Sequence, residues 1–480
     1  MIDVLRKKIV VSGIWYTISN FIVKGFNFIT IPIFTRILTK AQFGDYNNYI
    51  SFLNIAMVII SLNVEASMCS ARYDYSEKLD GYILSILSLS SLSVFIWFVV
   101  ITYNIEKISN FVSISQQYLY CIIIYLLFYP AVNLYIERCK YRFFYKKAVF
   151  VSLIIALGGT VCSIAFVNIL SNKLTGRIVG SIIPTVICGM LLYCFFIFKG
   201  KHIDIKAWIY AIKICIPYIP HLLSLTILNS MDKVMITKIC GSNDTALYSL
   251  SYNCGAIITI LLTSMNSAFV PWLGEKINAK DYIKVRNMSK IYIAFFSGFA
   301  VIVMAMAPEI LLLLGGKNYA DAKYVMTPVA MGCICQFLYT LFVNIEQFKK
   351  RTVGMAMASI SAAVINFVLN FYMIPRFGYL AAAYTTLIGY LWLLIVHMIF
   401  VYRIGLQEVY DYRYVIKTVI IMMGITMCIN YLYAYTAIRY LFIVLYCISF
   451  LLIMNKIRMA TGEIRYKIII REKRKNNEIL

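Results

Sequence analysis

The sequence predicts an all-α integral membrane protein of about fourteen transmembrane helices. Three observations carry that prediction. Hydrophobic residues make up 61% of the 480 residues and charged residues only 14%, against roughly 45–50% apolar and about 25% charged in a soluble domain. Apolar runs of about 20 residues recur along the chain, the length a bilayer demands because a crossing helix must satisfy its own backbone N–H and C=O groups. The charges sit in short runs between these stretches, as loop anchors do.

Read between the charged breaks, the crossings fall at 9–34, 46–66, 81–103, 117–136, 148–171, 178–198, 214–236, 247–274, 291–313, 325–345, 352–374, 379–402, 414–435 and 440–456. The last is short for a full crossing, and several others are long enough to tilt. No small-residue cleavage site follows the first apolar stretch, so it reads as a retained helix rather than a signal peptide. Lysines and arginines in alternating loops favour the N-terminal side by about three to one, which places both termini in the cytoplasm.

The net charge of +24 raises nucleic acid as a partner. That reading needs a soluble basic domain with interleaved aromatics, and none is present. Thirteen cysteines are scattered along the chain. Only Cys333 and Cys335 lie close together, without zinc spacing, so buried free thiols are expected and no metal site. The basic tail, 457–480, clusters Arg471, Lys473, Arg474 and Lys475, which suits a solvated anchor or a contact with an anionic leaflet.

A shift of 202 residues places Asn27 on Asn229, Thr35 on Thr237, Arg36 on Lys238, Tyr46 on Tyr248, Asn168 on Asn370 and Gly176 on Gly378. The shared offset implies an internal repeat. Six crossings per copy is an even number, so the copies form two parallel six-helix lobes, 1–200 and 201–405, with a cavity between them. Residues 406–456 then supply two additional C-terminal helices without a counterpart.

Three stretches carry a family likeness: IPIFTRILTKAQFGDYNNY (Ile31 to Tyr49), IPYIPHLLSLTILNSMDKVMITKICGSNDTALYSLSYN (Ile216 to Asn253) and NFVLNFYMIPRFGYLAAAYTTLIGY (Asn366 to Tyr390). The sequence resembles the bacterial polysaccharide exporters, and more closely the Wzx-type O-antigen and oligosaccharide flippases of the multidrug/oligosaccharidyl-lipid/polysaccharide exporter superfamily. With size and helix number, the likeness spans nearly the whole chain. It implies a protein of the bacterial cytoplasmic (inner) membrane. Such a protein flips an undecaprenyl-diphosphate-linked oligosaccharide, an O-antigen or capsular repeat unit, to the outer leaflet. A polysaccharide polymerase and glycosyltransferases would act beside it in lipopolysaccharide or capsule synthesis. The motifs do not identify the sugar. His221, after Pro220, departs from the pattern and has no family role to take.

A charge at bilayer depth is costly and usually faces protein or a wet cavity. Lys24 lies mid-helix in the first span, and Asn20 and Asn27 share its face at i, i+4 and i+7. Lys24 is the candidate to attract the diphosphate or an acidic sugar, the asparagines to hydrogen-bond it; a packing contact or a snorkelling lysine is the alternative. Asn229 and Lys233 share a face of the seventh span, with Asp232 beside it, either lining the cavity or neutralising each other against neighbouring helices. Glu65, near the end of the second span, could pair with Lys24 or couple to a cation, though a boundary position explains it equally well. Arg36 and Lys238 occupy equivalent outer ends, where they guide an anionic headgroup at the exit or anchor the interface. Tyr46 and Tyr248 read as interfacial belt residues, Gly176 and Gly180 as close helix packing. Pro32, Pro217, Pro220, Pro271 and Pro328 are places where helices could break.

No catalytic residues are expected. Gly315-Gly316-Lys317 lacks the rest of a phosphate-binding loop, and His202, His221 and His397 have no metal-like spacing. No cofactor is expected; the energy source is left open between a proton or sodium gradient and removal of product outside by polymerisation. A cation-coupled multidrug exporter of the same superfamily is the alternative, although the first helix presents Lys24 where an acidic coupling residue would stand. A membrane glycan polymerase would need a long loop of clustered acidic or arginine residues, which the chain lacks.

Overall fold

The structure, a computed structural model, describes residues 15, 22–26 and 28–452. Asn20, Asn27 and the 457–480 tail lie outside the described residues. Within them the chain is helical, with no strand. In order come α1 (helical residues 22–26 and 28–37), α2 (Lys40–Ile60), α3 (Met68–Asp74), α4 (Leu79–Tyr103), α5 (Ile105–Val112) and α6 (Gln116–Tyr141). There follow α7 (Tyr145–Ile169), α8 (Lys173–Gly200), α9 (Ile205–Ile239), α10 (Ser242–Asn278), α11 (Tyr282–Ala305) and α12 (Ala307–Gly315). The last are α13 (Lys323–Phe348), α14 (Thr352–Phe377), α15 (Tyr379–Arg403), α16 (Tyr412–Leu432) and α17 (Thr436–Leu452).

Among the described residues, eleven helices are long and apolar enough to cross a membrane, or up to twelve if the bent pair Lys40–Ile60 and Val64–Asp74 is one span. The shorter α17 stands apart from these, and the expected 9–34 crossing lies partly outside the described residues. Several helices run past their apolar stretches because polar side chains cap them. Asp204 accepts from the Lys206 N–H at 2.8 Å and starts α9 well before its apolar run. Thr39 and Gln42 exchange side-chain and backbone bonds in a capping box at the start of α2, satisfying donors a helix start otherwise leaves open.

Two expected crossings are broken. The 46–66 span ends as α2 at Ile60. Leu62 and Asn63 then take left-handed φ values of 57° and 45°, and the helix resumes through Val64–Ser67 into α3 at a 50° bend. The 291–313 span divides at Met306 into α11 and α12. Pro217, Pro220, Pro271 and Pro328 instead lie inside continuous helices.

The chain packs as two compact units. The first holds the chain up to Asn253 with Leu311–Val325 and Arg351–Leu393; the second holds Cys254–Ile310, Met326–Lys350 and the chain from Leu394. In the first unit, two apolar cores are stacked along the helices. One gathers Tyr49, Leu53 and Ile60 of α2 with Val94 and Ile101 of α4, Leu126 of α6 and Ile178 of α8. The other gathers Val64, Met68, Ile83, Ile86, Leu134, Phe196 and Ala211. The α2 break falls at their seam, which is polar: the Ser90 hydroxyl donates to the Ser61 carbonyl at 3.2 Å, and the Asn133 amide donates to Glu65 at 2.8 Å.

Glycines let backbones meet where the packing is tightest. A Cβ on Gly180 would lie 2.4 Å from the Ser163 Cα, and one on Gly176 would lie 2.6 Å from the Phe166 carbonyl oxygen. Gly176 and Gly180 therefore serve the close packing of α8 on α7 that the sequence suggested. At Gly44 the approach is closer still: a Cβ there would fall 1.8 Å from the Ser242 carbonyl oxygen at the start of α10.

In the second unit, Phe296 and Phe337 stack at 4.2 Å. Lys290 of α11 pairs with Asp411, the cap of α16, at 2.7 Å. Arg439, at the start of α17 and buried, pairs with Glu309. A cleft of about 300 Å³, lined in part by Ser297, Gly298, Lys417, Thr418, Tyr446 and Phe450, lies along α11, α16 and α17.

Candidate functional site

The second half of α9 alternates apolar and polar residues with helical spacing, and one polar residue turns fully inward. Asp232 is 1% exposed. Such a carboxylate is tolerable in an apolar bundle only if its oxygens are hydrogen-bonded. Three neighbours supply the donors: the Asn370 amide at 2.6 Å, the Thr386 hydroxyl at 2.5 Å and the Tyr248 hydroxyl at 2.5 Å. They come from α14, α15 and α10.

A second layer fixes those donors. The Asn370 amide also reaches the Asn366 Oδ1 at 3.2 Å, and the Asn366 amide donates to the Thr386 hydroxyl at 3.1 Å. The Thr385 hydroxyl donates to the Asn370 side-chain Oδ1. Asn366 and Asn370 stand one helical turn apart, so both project from one face of α14. Asp232, Tyr248, Asn366, Asn370, Thr385 and Thr386 are all buried. Chemically this is an oxygen-rich cluster around one carboxylate, the donor type that hard cations take. A cation entering it would replace the hydrogen bonds among these groups. Among the described residues no group of three or more His, Cys, Asp and Glu could hold a metal ion, so any such ligation would join amide and hydroxyl oxygens to the single carboxylate of Asp232.

Lys233 stands next to Asp232 but makes its own contact. Lys233 is half-buried and holds its ammonium 5.7 Å from the centre of the Tyr252 ring, a cation–π contact. Asn229 is exposed, and its Oδ1 accepts from the Tyr390 hydroxyl at 2.8 Å. Asn229, Asp232 and Lys233 thus lie within two turns of α9, with Asp232 turned inward and Asn229 outward.

Lys24 is exposed on α1. Glu65 is half-buried at the α2 break and bound to Asn133. Arg36 and Lys238, both exposed, make parallel contacts: Arg36 donates to the Leu313 carbonyl at 3.5 Å, and Lys238 donates to the Asn110 carbonyl at 2.5 Å. Each reaches the end of a short helix, α12 and α5 respectively. Tyr248 corrects the sequence reading: it is buried against Asp232, because a buried carboxylate needs a donor more than the interface needs a ring. Tyr46 is half-buried, with the Arg177 guanidinium 4.4 Å from its ring centre and 3.6 Å from that of Phe34.

The cluster's uncharged members, Asn366, Thr385 and Thr386, escaped sequence reasoning. The signal that could have found them is the pair of asparagines at i, i+4 in an otherwise apolar helix.

The described residues thus form a bundle of apolar helices with a buried polar cluster, a fold shared with solved structures. A lipid II flippase, MurJ, in an inward closed conformation superposes with a TM-score of 0.70 at 13% identity, covering 92% of this chain and 98% of that one. An inward-facing multidrug resistance MATE family transporter of the MOP superfamily gives 0.56 at 12% identity, covering 81% and 98%. The fold is that of the multidrug/oligosaccharidyl-lipid/polysaccharide exporter superfamily, and the chain is a multi-pass membrane protein.

Its family follows from the sequence match. The model of the polysaccharide biosynthesis protein family matches residues 9–276, more than half of the chain, and the chain belongs to that family. The MatE family model matches residues 217–372, the stretch that holds Asp232, Asn366 and Asn370. A protein of the Lsg locus of Haemophilus influenzae is 21% identical over 359 residues, 70% of this chain and 84% of its own.

Proposed function

We propose that the chain is a flippase that carries an undecaprenyl-diphosphate-linked oligosaccharide, an O-antigen or capsular repeat unit, from the cytoplasmic to the outer leaflet. The observation that carries this reading is membership of the polysaccharide biosynthesis family by a chain with the fold of a lipid II flippase. In this reading the chain sits in the bacterial cytoplasmic membrane with both termini inside, as the lysine and arginine asymmetry of its loops supports. Lobes 1–200 and 201–405 alternate access to a cavity between them. Lys24, with Asn20 and Asn27, meets the diphosphate or an acidic sugar, and Asn229 and Lys233 meet it from α9. Arg36 and Lys238 stand at the exit. Glycosyltransferases supply the substrate, and a polymerase consumes it.

The decisive experiment deletes the gene and follows lipid-linked repeat units. They should accumulate on the cytoplasmic side and clear on complementation. Normal outer polysaccharide in the deletion strain would overturn the reading. Lys24→Ala at constant expression should lower polymer export; unchanged export removes Lys24 from the binding site.

One observation favours a second reading, a cation-coupled multidrug exporter. Asp232, Tyr248, Asn366 and Asn370 lie within the MatE match, and the oxygen cluster they form with Thr385 and Thr386 has the chemistry of a coupling site. Lost drug efflux with intact polysaccharide would select it.

A further inference from the structure

Glu346 and His397 form a buried acid–imidazole pair in the second unit that the transport reading does not use. Glu346 lies near the C-terminal end of α13 and is 0% exposed; His397 lies near that of α15 and is 2% exposed. The Glu346 Oε1 is 2.7 Å from the His397 Nδ1. The other carboxylate oxygen, Oε2, is buried with no hydrogen-bond partner. Tyr339 stacks on the imidazole at 5.7 Å, and Phe400 meets it edge-on at 6.3 Å.

The remaining polar groups nearby are engaged elsewhere. The Tyr410 hydroxyl donates to the Leu341 carbonyl, the Tyr412 hydroxyl to the Met398 carbonyl and the Asn344 amide to Asn266. The charged groups nearest along the chain are Lys349, Lys350 and Arg351 past α13 and Arg403 closing α15, while α10, bonded to α13 through Asn266, carries Glu275 and Lys276. The turn after α15 adds Glu408 and Asp411, and Arg413 opens α16. Among the described residues, none of these is in an ion pair with Glu346 or His397.

We propose that Glu346 and His397 are a proton-binding site, one that releases its proton only when water reaches the pair. A carboxylate beside a neutral imidazole would leave a net negative charge in a dry apolar bundle, which is costly. One added proton brings the pair to zero net charge. It makes the ring an imidazolium whose Nδ1–H donates to the carboxylate across the 2.7 Å contact. On release the proton passes to water, and a neutral imidazole remains beside the carboxylate. That state needs hydration, and Oε2 is the open acceptor a first water would fill. The proton load of the site is thereby tied to the packing of α13 against α15.

The chain has three histidines, so ring-¹⁵N spectra of the full-length protein in lipid nanodiscs can follow each one, with His397→Gln assigning the signal. At pH 7 the wild-type His397 ring nitrogens should give the signals of an imidazolium, and those of Glu346→Gln the signals of a neutral imidazole, because removing the carboxylate removes the partner of the charge. A neutral His397 in the wild type, or the same signals in both proteins, would overturn the proposal. His397→Gln supplies a second measurement should Glu346→Gln fail to fold. It leaves Glu346 alone and buried, so an infrared carbonyl band of a protonated carboxylic acid should be stronger than in the wild type at pH 7. No such gain would also overturn the proposal.

Discussion

The Asp232 carboxylate and the Asn370 amide, far apart in sequence on α9 and α14, meet at 2.6 Å with both residues buried. Every donor aimed at Asp232 is an N–H or O–H, so the site is built for an acceptor. Asp232→Asn preserves size but points its own N–H₂ at one of those donors. The expected cost is about 1–3 kcal/mol, read as a lower Tm of the purified protein. If the cluster binds a cation, sodium should raise the Tm of the wild type by mass action and leave Asp232→Asn unmoved. An equal sodium response in both proteins would remove Asp232 from any cation site.

Gly44 is expected to tolerate nothing larger. The Cβ of Gly44→Ala would fall 1.8 Å from the Ser242 carbonyl oxygen and 3.2 Å from the Ala246 nitrogen. Both obstacles are backbone, so α2 and α10 must move apart. Overpacking of this kind costs about 1–3 kcal/mol. Thermal unfolding measures it, and an unchanged Tm would contradict the close approach.

The proposed orientation makes a thiol prediction. Cys240 caps α9 beside Lys238, and Cys69 is exposed in α3; in the proposed orientation the first faces outside and the second inside. In variants retaining one cysteine, a membrane-impermeant maleimide should label Cys240 in intact cells and Cys69 only after permeabilisation. Burial pushes the Cys240 thiol above its ordinary pKa. Because the thiolate reacts, its labelling should be slow at neutral pH and quicken as pH rises. The reverse sidedness would invert the orientation.

Asp411 ties the start of α16 to α11. It accepts from the Tyr414 N–H at 3.0 Å and pairs with Lys290 at 2.7 Å. The hydrogen bond from Lys290 and the Tyr414 N–H hold its carboxyl below the usual carboxylate range. A lowered acid contributes its stability above the unfolded pKa, about 3.9, and loses it as pH falls through the folded value. Asp411→Ala should therefore cost about 1 kcal/mol at neutral pH through the lost cap. The Tm gap to the wild type should narrow below about pH 4. A gap that widened in acid would refute this account.

The membrane fold was legible because span length and loop charge are set by the bilayer itself. Asp232 was legible because a charge in an apolar helix is conspicuous. Its partners were not: Asn366, Thr385 and Thr386 carry no charge, and Tyr248 belongs to a residue type equally at home at the interface. The helix breaks were misplaced for a related reason. Proline suggests a break, yet neighbouring helices can re-satisfy the freed carbonyl, and Pro217, Pro220, Pro271 and Pro328 all lie within continuous helices. The break at Leu62–Asn63 has no proline beside it, whereas that at Met306 stands two residues before Pro308, which offers no N–H to the Met304 carbonyl.

The polar seam between the two cores of the first unit bears on cooperativity. A single continuous core tends to loosen as a whole. Here Ser61, Glu65, Ser90 and Asn133 interrupt the apolar contacts at the level where the second crossing already bends. Fluctuations at one end of the helices are therefore insulated from the other. One end can loosen while the other keeps its packing, which is what the proposed alternating access would require.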